Sequence, residues 1–366
     1  MPNSSIAQTR LSLYRLALLP SVQSINSGEC CAALVKGGTS FLDIVLLQDL
    51  GPLWHHSLQS GGELDSLPLT TVNALRAARM LAAVGYLQQR EALKRIDELF
   101  IAQDIPHLVM KGGHVRECVY PDPAMRPAND IDLLISPHHR LRAARVLLDN
   151  GYTVHVMPNN LSHEATFSHG LVDIDLHWHM QRPGHTRSDM TEGFLARRQQ
   201  INGVWGLSDN DVLFMMLIHP AFAKYVCSSN MGLGRVADFL LWIQKKEVDW
   251  SAVLQLLMVE GVKTAAWTQL SWFRMLAQPE AAKVIDTWLE TLRPGRLRAA
   301  YLRFWLKHDL PTRWLNRPFL IQAGFTLFMH DGLADVLHAL RGRLQAKRNQ
   351  LEDARLLLGD DYQWTE

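Results

Sequence analysis

The chain has 366 residues, with 37 Lys+Arg against 36 Asp+Glu and a formal net charge of +1. At roughly 150 residues per domain, this length supports two or three structural units, each able to bury its own core. A composition that is 48% hydrophobic and 20% charged excludes a disordered chain, and the neutral balance excludes a protein that coats nucleic acid with its whole surface.

Four cysteines (Cys30, Cys31, Cys118, Cys227) have no CxxC spacing, so neither a zinc knuckle nor a disulfide framework is written here, and they read as buried reduced thiols. The apolar stretch Leu11 to Leu19 is interrupted by Tyr14 and Arg15, which argues against a signal peptide. The later run Phe319 to Met329 is too short to span a bilayer. The expectation is a soluble, cytoplasmic protein with no membrane partner.

Residues 1–100 read as helical. From Leu75 to Phe100, Leu81, Val84, Leu87, Leu93, Ile96 and Phe100 form a candidate buried stripe among charged residues. Pro106 ends that regime. His107 to Met110 reads as a short strand, Lys111-Gly112-Gly113 as a tight turn, and His114 to Tyr120 as a helical piece. Pro121, Pro123 and Pro127 mark an extended loop leading into a second strand, Asp130 to Ile135. A helix follows from about His138 to Asp149, closed by Gly151. Tyr152 to Met157 and, more strongly, Leu171 to Trp178 alternate as strands, and from about Leu207 the helical pattern returns in Val212 to His219, Val236 to Lys245 and Trp250 to Glu260.

Asp130 and Asp132 sit two apart on a strand, so both side chains leave one face, about 6.6 Å apart along the chain. Two such carboxylates repel unless a cation lies between them, and Mg²⁺ typically uses one or two carboxylates together with substrate phosphates. Alone, Asp-x-Asp is also what a solvated edge strand looks like. The neighbours sharpen it. Gly112 and Gly113 let backbone N–H groups converge on an anion at a helix start, Lys111 adds a mobile charge, and Arg126 precedes the acids by four residues. A second pair, Asp173 and Asp175, repeats the i, i+2 geometry. Two acidic strands and a phosphate turn are the parts of metal-assisted phosphoryl or nucleotidyl transfer.

The run from Val109 to Gly151 resembles the bacterial "uncharacterised nucleotidyltransferase" family of the polymerase-β-type nucleotidyltransferase superfamily. The carrying residues are Lys111-Gly112, Tyr120-Pro121, Arg126-Pro127, Asp130-Ile-Asp132, Gly151-Tyr152 and, further on, Asp175-Leu-His-Trp178. By this resemblance Asp130 and Asp132 bind the metals, and Asp175 is the third carboxylate, completing the metal site and taking a proton; Asp173 is the alternative. Where the superfamily usually has Gly-Ser at the phosphate turn, this chain has Gly112-Gly113.

Other suggestive residues divide between bland and functional readings. His177 and His179 share a strand face with Asp173 and Asp175; a zinc site with Asp175 is one reading, and a substrate contact or a packed polar group is the favoured one. His219, on an apolar helix, reads equally as a core histidine or a nucleotide contact, and Arg235 and Asp238 as substrate contacts or a helix pair. The segment Arg293 to Arg348 carries a net +8, which leaves −7 for the rest. Its interleaved aromatics suggest RNA binding, but a basic helical face with core aromatics is the preferred reading.

The sequence therefore predicts an α+β fold with a polymerase-β-type nucleotidyltransferase core: a small mixed sheet with helices at 101–204, flanked by an N-terminal helical region (1–100) and a C-terminal helical domain (205–366). The predicted function is Mg²⁺-dependent (or Mn²⁺-dependent) transfer of a nucleoside monophosphate from an NTP, with ATP preferred, to a hydroxyl on a small molecule, peptide or protein. Lys111, Gly112, Gly113 and Arg126 would hold phosphate, and His177, His219, Arg235 and Asp238 would contact substrate. The alternative is a binding module without turnover that recognises RNA or a partner protein, as an antitoxin would.

Overall fold

The computed structural model describes residues 3–21, 26–155 and 163–344. Four helices come first: α1 (Asn3–Ala17), α2 (Ser27–Leu47), α3 (Gly51–Ser60) and α4 (Leu69–Ile101). A mixed α/β segment follows, in the order β1 (His107–Val109), α5 (Lys111–Val119), β2 (Asp130–Ile135), α6 (Arg140–Asp149), β3 (Thr153–His155), β4 (Glu164–His169), β5 (Val172–His177), α7 (Thr191–Ala196), β6 (Gln199–Ile201) and β7 (Val204–Gly206). The helices α8 (Asp209–Ala223), α9 (Leu233–Lys245), α10 (Trp250–Val259), α11 (Lys263–Leu276), α12 (Pro279–Leu292), α13 (Arg296–Lys307), α14 (Leu310–Arg313) and α15 (Pro318–Gly324) follow, and residues 333–344, the last described, are helical too.

The strands form one seven-stranded sheet in the order β3-β4-β5-β2-β1-β7-β6. The pairs β2–β5 and β1–β7 are parallel and the rest antiparallel. Period-two alternation gives this sheet two different faces. Ile131, Leu133 and Ile135 of β2 and Val172, Ile174 and Leu176 of β5 enter one buried cluster, with Leu93, Ile96 and Phe100 of α4 and Ala143, Ala144 and Leu147 of α6. The opposite face carries Asp130, Asp132, Asp173, Asp175 and His177. On that side Leu134 joins a larger cluster that takes in α2, α3, α5, α8, α9 and α11. The acidic residues therefore face the helical half of the molecule. The other face packs against α4 and α6, apart from a pocket of about 280 Å³ lined by Arg90, Lys94, Asp97, His107 and Leu133.

Helix α4 departs from the expected stripe. Leu93, Ile96 and Phe100 are buried, but Leu81, Val84 and Leu87 are 75%, 54% and 66% exposed. The helix has 33 residues, about 50 Å at 1.5 Å per residue. Its start packs through Val72 and Leu75 into the larger cluster and its end into the smaller one. The middle turn bridges the two cores.

Two further differences concern lengths. The helix expected from His114 begins at Lys111, because Lys111 itself takes the left-handed conformation (φ +51°) and makes the turn. Gly112 and Gly113 then lie in the first helical turn, where their missing side chains permit close packing: a Cβ would fall 3.2 Å from Arg126 Nη2 and 3.1 Å from Val109 Cγ1, respectively. The strand expected over Tyr152 to Met157 is β3 at Thr153–His155; residues 156 and 157 lie outside the described residues.

Among the described residues one helix, α2, is long and apolar enough to cross a membrane. Its Cys30, Cys31, Leu34, Phe41, Leu42 and Val45 are buried in the core, and it is broken at Gly38, whose φ of +60° suits glycine. A third of its apolar window is buried, while Val35 and Leu47 are exposed. The sequence reading missed the apolar length of this segment.

The basic segment is described as far as residue 344. Trp305 stacks on Phe325 and meets Trp314 edge-on, and Tyr301 packs against Phe328. Trp305 and Phe325 are buried, whereas Phe304, Phe319 and Phe328 are 52%, 76% and 46% exposed. Arg343 lies within the described part, and residues 345–348 lie outside it.

Candidate active site

The parallel register of β2 and β5 sets Asp130 beside Asp173 and Asp132 beside Asp175. Asp173 is exposed and accepts a hydrogen bond from Ser168 Oγ at 2.5 Å. Asp175 accepts one from Thr166 Oγ1 at 2.6 Å, which fixes its carboxylate. A cleft of about 220 Å³ opens here, lined by Asp130, Asp132 and Asp175 but not by Asp173. The later, half-buried aspartate is therefore the one placed with the Asp-x-Asp pair.

Asp132 is the centre of the cleft. It pairs with Lys111 Nζ and lies 2.9 Å from His177 Nε2, while Lys111 Nζ is 3.4 Å from the same imidazole nitrogen. The other imidazole nitrogen, Nδ1, is 3.0 Å from Glu164 Oε2. Burial opposes ionisation of Asp132, but the Lys111 charge and the His177 contact outweigh it, so its pKa is held far below the usual carboxylate range. Lys111 is the mirror case: burial works against its ammonium, and Asp132, then Glu164, raise its pKa nevertheless. Asp130 has no such ion pair among the described residues. Burial, then repulsion from Asp132 and Asp175, pushes its carboxyl up to about 6.

Opposite the acids, the helical half supplies cations. Lys224, just past the end of α8, and Arg235, in α9, line the same cleft with Lys111 and Arg182. Both lose affinity for their protons, through burial first and then through repulsion, Lys224 from Arg235 and Arg235 from Arg126. The Arg235 guanidinium also donates to the Met231 carbonyl oxygen at 2.8 Å. His219 lies between this cleft and a smaller apolar pocket formed with Val115, Leu207, Val212 and Met215. Neither His219 ring nitrogen has a hydrogen-bond partner among the described residues, and burial holds the ring neutral.

Arg126 and Asp238 occupy a different place. Arg126 Nε donates to both Asp238 oxygens (2.8 and 3.1 Å), Nη2 adds a third bond at 3.0 Å, and Tyr120 Oη donates to Asp238 Oδ1 at 2.8 Å. The guanidinium lies between Gly112 and Gly234, at each of which a Cβ would come within 3.2 Å of it. Arg126 is thus a bidentate clamp joining the loop before β2 to α9, and it does not line the carboxylate cleft. His179 also lies apart from the cleft, bonded to Asp189 at 2.8 Å.

Sequence reading missed Glu164, His163 and Lys224. Glu164 begins β4 and His163 precedes it; the Glu-Ala-Thr-Phe-Ser-His alternation of that strand and the following Gly170 were the available signal for a hairpin with β5. Lys224 carried no signal, since one lysine after an apolar helix has no pattern.

Asp130, Asp132 and Asp175 line one cleft and offer the carboxylate oxygens that a hard divalent cation takes, and the ligand atoms of Asp132, Asp175 and the neighbouring His177 lie within 4.8 Å of one another. Residues 39–277 match the family described as "Uncharacterised nucleotidyltransferase", and the chain belongs to that family. No curated protein and no solved structure matches the chain.

Proposed function

We propose that the protein is a divalent-metal-dependent nucleotidyltransferase that moves a nucleoside monophosphate from an NTP, ATP being the first candidate, to an acceptor hydroxyl on a small molecule, peptide or protein. The observation that carries this reading is the parallel register placing Asp132 beside Asp175, in one cleft with Asp130 and with Lys111, Lys224 and Arg235 around it. Family membership supports the general class of reaction. On this reading residues 101–204 are the catalytic unit, a polymerase-β-type core between two helical regions.

Asp130, Asp132 and Asp175 would hold Mg²⁺ or Mn²⁺, which when bound offsets the charge of the triphosphate and makes the acceptor hydroxyl more acidic. Lys111 and the first-turn N–H groups at Gly112 and Gly113 hold phosphate oxygens. Lys224 and Arg235 add the charge neutralisation expected from sequence of Arg126, whose guanidinium is committed to Asp238. The acceptor oxygen bonds to the α-phosphorus, the bond to the β-phosphate oxygen breaks, and pyrophosphate leaves. The acceptor proton passes to Asp175, whose carboxylate Thr166 orients. His177, held between Asp132 and Glu164, fixes the Asp132 carboxylate.

The test is label transfer from each α-³²P-labelled NTP, with Mg²⁺ and fractionated extract as acceptor source, alongside pyrophosphate release. The reading expects covalent label with the native enzyme and none with D130N or D132N. Equal labelling by all three proteins overturns it. A module that binds without turnover would bind NTP or RNA and release no pyrophosphate. The buried Trp305 and Phe325 do not favour that alternative.

A further inference from the structure

Beside the carboxylates, a second set of donors converges that the proposed nucleotidyl transfer does not use as ligands. Glu164, the first residue of β4, pairs in register with His177, the last residue of β5. His163 precedes Glu164, and its carbonyl oxygen accepts from the backbone N–H groups of Trp178 (2.9 Å) and His179 (3.4 Å), so the chain around His163 is tied to the end of β5. Glu164 Oε2 lies 3.0 Å from His177 Nδ1 and 3.4 Å from His163 Nε2. The three ligand atoms lie within 4.8 Å of one another.

These separations suit a metal. Ligand bonds of about 2.1 Å place neighbouring donors about 3.0 Å apart in an octahedral shell and about 3.4 Å apart in a tetrahedral one. The imidazoles are 8% and 2% exposed, so the site is sheltered, yet all three residues line the cleft and leave its open side for a further ligand. Two nitrogen donors and one carboxylate favour an ion of the zinc, cobalt or manganese type over Mg²⁺, which prefers oxygen.

We propose that His163, Glu164 and His177 form a second metal site, for a divalent transition-metal ion, adjoining the carboxylate site at Asp130, Asp132 and Asp175. His177 links the two: its Nδ1 faces Glu164 and its Nε2 lies 2.9 Å from Asp132. The site stands on its own donors and does not require that the protein transfer nucleotides.

Cobalt(II) is the probe. The full chain is stripped with chelator, supplied with excess Mg²⁺ to fill oxygen-rich positions, and titrated with Co²⁺ while visible d–d absorption is recorded. The proposal expects one equivalent of Co²⁺ to bind with nitrogen-ligated bands that survive Mg²⁺. H163A and E164Q should each weaken binding at least tenfold, while D130N leaves the bands in place. Thermal melts of both variants show that they are folded; should one fail to fold, the other and the native Mg²⁺-resistant bands still decide. Complete displacement of Co²⁺ by Mg²⁺, or unchanged bands in the folded variants, overturns the site. D130N separates this result from the nucleotidyltransferase reading, since it should abolish transfer and keep the cobalt bands.

Discussion

Asp132 and Asp175 are partners across the parallel pairing of β2 and β5, with Lys111 bound to the first and a Thr166 hydroxyl to the second. A lysine ammonium thus stands at the position where two carboxylates call for positive charge. The two aspartates of the Asp-x-Asp strand are consequently unequal. Asp132 is paired with Lys111 and contacted by His177, whereas burial, then repulsion from Asp132 and Asp175, raises the pKa of Asp130 to about 6.

That inequality predicts opposite effects of two matched substitutions on stability. D132N leaves the Lys111 ammonium beside a neutral amide in a site where Asp132 is buried, and should lower the melting temperature of the metal-free protein. D130N removes a repelled charge and should leave the melting temperature unchanged or raise it. Thermal melts at neutral pH with chelator present check both, and a similar drop in each variant contradicts the account.

Cation binding should depend on pH through Asp130. Its folded pKa lies above the ordinary value of 3.8, so below about pH 6 a proton competes with the metal. Calorimetric affinity for Mn²⁺ should fall as pH drops from 7 to 5, approaching tenfold per unit, with proton release on binding. The same shift bears on metal-free stability: Asp130 contributes most below its unfolded pKa, and the contribution is lost as pH rises through about 6. Asp132, with its depressed pKa, has the reverse sign and loses its contribution as pH falls below the ordinary carboxylate range.

The Arg126–Asp238 pair should act on folding. R126A strands Asp238, whose side chain is 5% exposed, and should cost about 3–5 kcal/mol by denaturant titration. Y120F removes one hydrogen bond to the same carboxylate and should cost about 1.5–3 kcal/mol. Full stability in R126A with loss of NTP affinity would assign Arg126 to the substrate instead.

Lys224 and Arg235 should act on nucleotide. K224A and R235A should each raise KM for NTP about tenfold or more. Mn²⁺ affinity without NTP should stay the same or tighten, since a repelling cation has been removed from the cleft. Unchanged KM in both variants would remove them from the phosphate site.

Much of this site was written in local sequence. Asp130 and Asp132 declared their common face through strand periodicity, Lys111-Gly112-Gly113 marked the turn between β1 and α5, and Asp175-Leu-His-Trp178 carried the second acidic strand into family resemblance. The remainder depended on long-range pairing. The distinction between Asp173 and Asp175 follows from how the two strands stand against the helical half, which alternation alone does not contain. Arg126 looked like a phosphate ligand because its partner lies 112 residues away, at Asp238. The exposed Leu81, Val84 and Leu87 have the spacing of a buried stripe, and only the bridging path of α4 between two cores leaves them uncovered.

The most direct test of the central claim needs no acceptor. Calorimetry with non-hydrolysable analogues of ATP, GTP, CTP and UTP, each with and without Mg²⁺, measures whether the carboxylate cleft binds a metal–nucleotide complex. The account predicts that at least one analogue binds only when Mg²⁺ is present and that D132N abolishes this binding. Equal binding with and without Mg²⁺, or undiminished Mg²⁺-dependent binding by D132N, would contradict it.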